Sequence, residues 1–215
     1  MPAIVYECDH YCIIDKEHGL NTEPDSRGNP SLMDWLRRQR PEFFKKWGPH
    51  PLHRLDRPVS GLLLVAKSLN AHRILQPLFE KRRITKKYCA RVEGIIHTPS
   101  AVLVHFHRKD PLNFKAIISS QPFEGSAEIK LSYKVLSRGR DFTDLELKLI
   151  TGRYHQIRAQ LSYIGHPIWG DTLYGSKVVR SDSVIALRAY HLSFYCPFQK
   201  KQIRVEQMSD LGQWG

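Results

Sequence analysis

The segment His53-Arg54-Leu55-Asp56-Arg57 sets one carboxylate between two arginines, and Pro58-Val59-Ser60-Gly61 then leads into the apolar run Leu62-Leu63-Leu64-Val65-Ala66. Guanidinium groups close by favour the ionised form of a carboxylate. At the mouth of a sheet such a group can act as nucleophile or base. The same pattern suits a structural ion pair at a strand end, and the local sequence leaves both readings open. A second segment, Thr151-Gly152-Arg153-Tyr154-His155-Gln156-Ile157-Arg158, puts a glycine where a strand is expected to give way to a helix. Backbone N–H groups at that junction would suit a phosphate or carboxylate. Arg153 and Arg158 lie five residues apart and need not share a face, so one can reach an inner anion while the other meets phosphate outside. His155 has the chemistry of a general base, but no Ser or Cys stands in a matching elbow motif, which argues against a hydrolase triad. Asp171, within the glycine-punctuated stretch 165–175, reads as a turn former.

The elements that must position these residues follow from periodicity. Ser31 is expected to cap a short helix over Leu32 to Arg40, stopped by Pro41. From Ser68, apolar Ala71, Ile74, Leu75, Leu78 and Phe79 fall at helical spacing, with Pro77 a candidate kink. A third helix is expected to open near Gly152, with Ile157, Leu161 and Ile164 on one face. Strands are expected around an Asp9-His10 turn, and at 62–66, 86–94, 101–106, 128–136, 144–150, 184–194 and 201–206. Tyr88, Ala90 and Val92 fall on one face of the strand at 86–94, with Lys87, Cys89, Arg91 and Glu93 on the other. Several strands follow one another with no helix between them. The predicted class is therefore α+β, a mostly antiparallel mixed sheet with flanking helices. The polar stretch 21–30 reads as a loop, and no composition shift demands a second domain, so one domain over 1–215 is expected.

The 215 residues suffice for a sizeable core, and 41% hydrophobic with 25% charged residues describes a globular chain. Lys plus Arg exceed Asp plus Glu by 33 − 21 = 12. A surplus of that size repels itself and suits a polyanionic partner. No apolar run approaches the ~20 residues that span a bilayer, and no signal segment opens the chain, so a cytoplasmic protein without membrane contact is expected. Cys8, Cys12, Cys89 and Cys196 are too scattered for a disulfide framework. Cys8-His10-Cys12 lacks a second ligand pair, so structural thiols are preferred to zinc, and no metal is expected. The charge clusters in Lys81 to Arg91, six basic residues without an acid, and in Arg37, Arg38, Arg40, Lys45 and Lys46. Both are candidates for phosphate contact, with Trp47, Phe79 and Tyr88 as possible stacking partners. Both clusters are expected to flank Asp56.

These segments, taken in order, resemble the signatures of the RluA-type pseudouridine synthases. His53-Arg54-Leu55-Asp56-x-x-Val59-Ser60-Gly61 with the apolar strand after it resembles the central signature. Lys87-Tyr88-x-Ala90-x-Val92-x-Gly94 is similar to the family's tyrosine motif. Gly152-Arg153-x-His155-Gln156-Ile157-Arg158 with Gly165-His166-Pro167-Ile168-x-Gly170-Asp171-x-x-Tyr174-Gly175 looks like the third motif, and Ile13-Ile14-x-Lys16-x-x-Gly19-Leu20 like the opening one.

The resemblance implies a cofactor-free RNA isomerase that detaches uracil from its ribose, turns it and rejoins it through carbon. It implies Asp56 as the catalytic carboxylate, attacking the anomeric carbon or promoting a glycal-like intermediate. Retaining glycosidases offer the chemical parallel, a carboxylate meeting an oxocarbenium-like centre. Tyr88 would stack on the uracil and assist proton removal. Arg158, with Arg153 as the second candidate, would be the cation beside Asp56. Arg54 would fill the place of a flipped nucleotide, while His53, Arg57, Arg153, His155 and Leu187 would contribute to substrate binding. The implied partner is structured RNA, tRNA or rRNA, bound by a monomer without an accessory N-terminal RNA-binding domain. This sequence has Val59 where the family usually has Thr, and Lys16-Glu17-His18-Gly19 for its Lys-Pro-x-Gly. Gln160 stands where a His is common, and Leu187-Arg188-Ala189 replaces Leu-His-Ala. Those changes bear on substrate choice and leave Asp56, Tyr88 and Arg158 in place.

Overall fold

A computed structural model describes residues 1–45, 47–180 and 184–208. The fold is α+β, and its contacts divide the chain into two compact units. The first comprises Met1–Lys86 and the segment beginning at Ala189, and the second Lys87–Arg188.

In the first unit, β1 (Ala3–Glu7) and β2 (Tyr11–Lys16) form the antiparallel hairpin expected around Asp9-His10. β2 pairs antiparallel with β4 (Ser60–Ala66), Tyr11 opposite Ala66 and Lys16 opposite Gly61. The two-residue β3 (His50–Pro51) pairs with the far end of β4. Next to β4 comes the Ala189–Cys196 part of β10 (Leu187–Cys196), which pairs in turn with β11 (Lys201–Glu206). Tyr11 to Ile14 and Leu62 to Ala66 are buried on both faces. A strand covered on both sides loses its alternation and reads as one apolar run. Gly61 of β4 lies directly against the β10 backbone. Its φ is +118°, and a Cβ there would sit 2.2 Å from the Ala189 carbonyl oxygen, so only glycine fits.

Two helices attend this sheet. α1 (Leu32–Gln39) begins as expected: the Ser31 hydroxyl accepts the Asp34 N–H at 3.1 Å and donates to the Asp34 carboxylate at 2.6 Å. Pro41 ends it and opens a 3-10 turn, Pro41–Phe44. α2 (Leu69–Glu80) is capped by Ser68 and packs Ala71 and Leu75 against the core. It continues past Pro77 to Glu80. Ile74, expected on the apolar face, is exposed instead.

The second unit is an antiparallel sheet in the order β5-β9-β8-β6-β7. Its strands are β5 (Thr85–Glu93), β6 (Ser100–Asp110), β7 (Lys115–Ser119), β8 (Ala127–Arg138) and β9 (Phe142–Leu149). β7 escapes a sequence reading because its five residues are too few to show a period. α3 spans Gln156–Tyr163, starting four residues later than the expected Gly152. The delay has a local cause: His155 adopts φ +51°, ψ +22°, a left-handed conformation no helix can include. Loop 150–155 and a 3-10 turn, Thr172–Tyr174, flank α3 in sequence.

Candidate active site

Asp56 sits, partly exposed, in a turn closed by a hydrogen bond from the Val59 N–H to the Asp56 carbonyl at 3.0 Å. The backbone around that turn is held from several directions within the first unit. Thr22, buried in the loop 21–30, bonds Leu55 twice: its hydroxyl accepts the Leu55 N–H at 3.1 Å and donates to the Leu55 carbonyl at 3.0 Å. On the other flank the Gly19 N–H donates to the Arg57 carbonyl at 2.8 Å, and Arg57 Nε returns a bond to the Gly19 carbonyl at 3.1 Å. His53 Nε2 accepts the Leu64 N–H at 3.1 Å. Its ring lies 5.0 Å from that of Phe79.

Lys16 completes the cradle. It is 0% exposed, and its ammonium donates to the carbonyls of Glu17 and Leu20 at 2.9 Å, with that of Arg57 at 3.5 Å. Burial pushes the Lys16 ammonium down to about 7, against an opposing pull from the charge of Asp56. The opening motif and the Asp56 segment are thus one physical unit. Neither Lys16 nor Thr22 stands among the sequence-derived site residues. The signal for Lys16 is its place in the opening motif, at the end of β2. Nothing local marks Thr22.

The structure turns His53 inward. With Nε2 accepting, the proton resides on Nδ1, which is shielded from solvent and has no hydrogen-bond partner among the described residues. Burial holds its pKa well below the ordinary histidine value, with the nearby Lys86 charge adding to the effect. A neutral His53 braces the β4 backbone. Arg54 and Arg57 are exposed.

In the second unit Tyr88 lies buried on β5, opposite Leu147 of β9. Arg158, on α3, is 4% exposed and makes a two-point pair with Asp171, itself 1% exposed, at 2.7 Å (Nε) and 2.8 Å (Nη2). Asp171 is the expected turn former, since its carbonyl accepts from Tyr174 and Ser176 N–H groups. It is also more than that, because its carboxylate orients Arg158. His155 stacks on Tyr154 with centroids 3.8 Å apart, and its Nδ1 lies 3.1 Å from the Tyr174 hydroxyl. Arg153 is exposed, but its N–H is taken by the Gln156 side chain at 3.0 Å, and the Gln156 N–H bonds the Arg153 carbonyl. Those two backbone donors, which the sequence suggested for an anion, are satisfied internally. Leu187 is buried.

The basic run Lys81 to Arg91 does not act as one patch. Arg91 is 8% exposed and pairs with Asp144 at 2.8 and 3.1 Å, under the rings of Phe142 and Trp169. Lys87 faces Glu146 at 3.3 Å, and Lys86 lies against Phe79. Alternation put Lys87 and Arg91 on the correct face but did not show that acids and rings cover it. In the other cluster Arg40 bonds Glu7 at 2.5 and 2.7 Å and Arg37 lies over Phe44, whereas Lys46 falls outside the described residues. Cys8, Cys12, Cys89 and Cys196 carry free thiols, and no helix among the described residues is long and apolar enough to cross a membrane.

Residues 10–163 match the model of the RNA pseudouridylate synthase family, a span holding Asp56, Tyr88 and Arg158. The chain belongs to that family. It is 34% identical over 176 residues to ribosomal large subunit pseudouridine synthase D of Pseudomonas aeruginosa, covering 81% of this chain and 53% of that protein. To the RNA pseudouridine synthase YjbO of Bacillus subtilis it is 32% identical over 206 residues, 94% of this chain and 70% of the relative. The fold superposes on human RNA pseudouridylate synthase domain containing 1 with a TM-score of 0.82 at 26% identity, covering 97% of this chain and 84% of the other. The chain spans about half the length of the ribosomal synthases it matches.

Proposed function

We propose that this protein isomerises specific uridines of structured RNA to pseudouridine, with Asp56 as the catalytic carboxylate. The observation that carries the reading is the family match over residues 10–163, which encloses Asp56, Tyr88 and Arg158 in the expected order. Breaking the C1′–N1 bond leaves an electron-poor anomeric carbon, which a carboxylate stabilises by bonding to it or by drawing off a neighbouring proton. The uracil turns, C5 bonds to C1′, the C5 proton leaves to solvent and the freed N1 takes up a proton in exchange; on the glycal-like route the proton drawn from the ribose is returned as C5 bonds to C1′. Product and substrate have the same atoms, so the reaction needs no redox partner or cofactor.

Asp56 is proposed for the bond-breaking step and Tyr88 for stacking on the base and helping to remove the C5 proton. Arg158 is proposed as the cation that balances the carboxylate, with Asp171 setting its orientation. The exposed Arg54 would fill the space left by the flipped nucleotide, since the reacting atoms are inaccessible inside a helical stack. Arg57, Arg153, His155 and Leu187 are proposed as further substrate contacts, and His53 as a brace behind them. Large-subunit rRNA is the favoured substrate because several relatives are named for it; tRNA is the alternative. Action as a cytoplasmic monomer, one catalytic domain over 1–215, belongs to the same proposal.

The test is Asp56→Asn on RNA carrying tritium at uridine C5. Loss of tritium release with RNA affinity retained supports the assignment, and a fully active variant overturns it. Mapping pseudouridines in total RNA of a deletion strain against its parent names the target.

A further inference from the structure

Once Lys86, Lys87 and Arg91 are assigned to interior or paired positions, Lys81, Arg82 and Arg83 remain from the longest basic run. All three are exposed, and none has an ion-pair partner among the described residues. They close α2 in a defined way. The Arg82 N–H donates to the Phe79 carbonyl at 3.0 Å and the Arg83 N–H to the Leu78 carbonyl at 2.7 Å, while Arg82 takes φ +54°. This is the helix-ending motif whose left-handed position is ordinarily glycine.

Arginine there costs backbone strain that glycine avoids. The negative end of the helix dipole accounts for a cation in this turn. It does not account for a strained one, nor for three neighbouring cations that repel one another. A polyanion relieves that repulsion. The turn is also well anchored: two residues earlier the Phe79 ring packs on His53, three residues from Asp56.

We propose that Lys81, Arg82 and Arg83 form a phosphate-docking turn that grips the RNA backbone beside the target nucleotide and registers it against the Asp56 segment. The proposal rests on the RNA reading above. Such contacts set position rather than sequence choice. The turn would therefore act on RNAs of different sequence alike.

The experiment uses the full chain and a fluorescent uridine-containing RNA stem-loop, titrated from low to moderate salt, with tritium release from labelled RNA alongside. Arg82→Gly removes one charge and relieves the strain, so its Tm should equal or exceed that of the parent. The triple variant Lys81→Ala, Arg82→Gly, Arg83→Ala should weaken binding on the order of tenfold and flatten the plot of log Kd against log salt by roughly 2. It should raise KM while leaving kcat at saturating RNA unchanged. A folded triple variant with parental Kd and salt slope overturns the proposal. If the parent binds the stem-loop but no RNA yields tritium, the enzymatic reading fails, and the salt slope still decides the docking turn.

Discussion

Asp56 and Arg158 are set in contrasting surroundings. The backbone of the Asp56 turn is tied down by hydrogen bonds from Thr22, Gly19 and the Val59 N–H. Lys16 is a buried cation there, and it gives donors to the Glu17 and Leu20 carbonyls. The second unit buries two guanidinium groups against carboxylates, Arg158 on Asp171 and Arg91 on Asp144. Backbone ties fix the path of a loop and with it the position of its reactive residue. Buried ion pairs fix a side chain, but the fold then depends on both partners.

The largest effect should therefore come from the second unit. Asp171→Asn removes the Asp171 charge from beside the buried Arg158 and should cost about 3 kcal/mol in urea unfolding. A loss below 1 kcal/mol would remove the contrast between the regions. In the first unit Thr22→Val leaves the Leu55 N–H and carbonyl buried without partners, an expected loss of about 2 kcal/mol. Its kcat should fall as the Asp56 turn loosens, and Thr22→Ser should restore it; equal defects in both variants would deny Thr22 its positioning role.

Lys16 sharpens the contrast through pH. Its folded pKa of about 7 lies below the ordinary 10.5, so between these values the unfolded chain holds a proton that the folded chain lacks. Stability relative to Lys16→Met should rise with pH across that window, by at most about 1.4 kcal/mol per unit, and stay level below it. A falling curve would mean that the buried ammonium is favoured over the amine. The smallest change is Ser31→Ala, which removes the α1 cap at about 1 kcal/mol, read from Tm, with tritium release unaltered.

Much of this molecule was legible before its structure. β11 runs over the expected residues, and Ser31 and Ser68 cap the expected helices, because strand periodicity and capping are chemistry between near neighbours. Elements with weak or overridden local signals depart from the expectation. β7 has only five residues, and α3 starts late because of the left-handed His155. Alternation assigns Arg91 a face without telling what covers it, so its pair with Asp144 is not legible in the sequence.

The sequence by itself determined the class of the fold, the chemical identity of the Asp56 segment and the basic surplus that favours a polyanion. Only the tertiary structure decided which charges are spent internally and which remain for a partner. Arg158 meets an acid 13 residues away, Arg91 one 53 away, and Thr22 reaches Leu55 across 33 residues. The reason is physical. Helix caps and strand faces depend on residues a few positions apart, whereas the partner of a buried charge depends on where distant segments pack. That separation also isolates Lys81, Arg82 and Arg83 as the exposed remainder of a run that looks uniform in sequence.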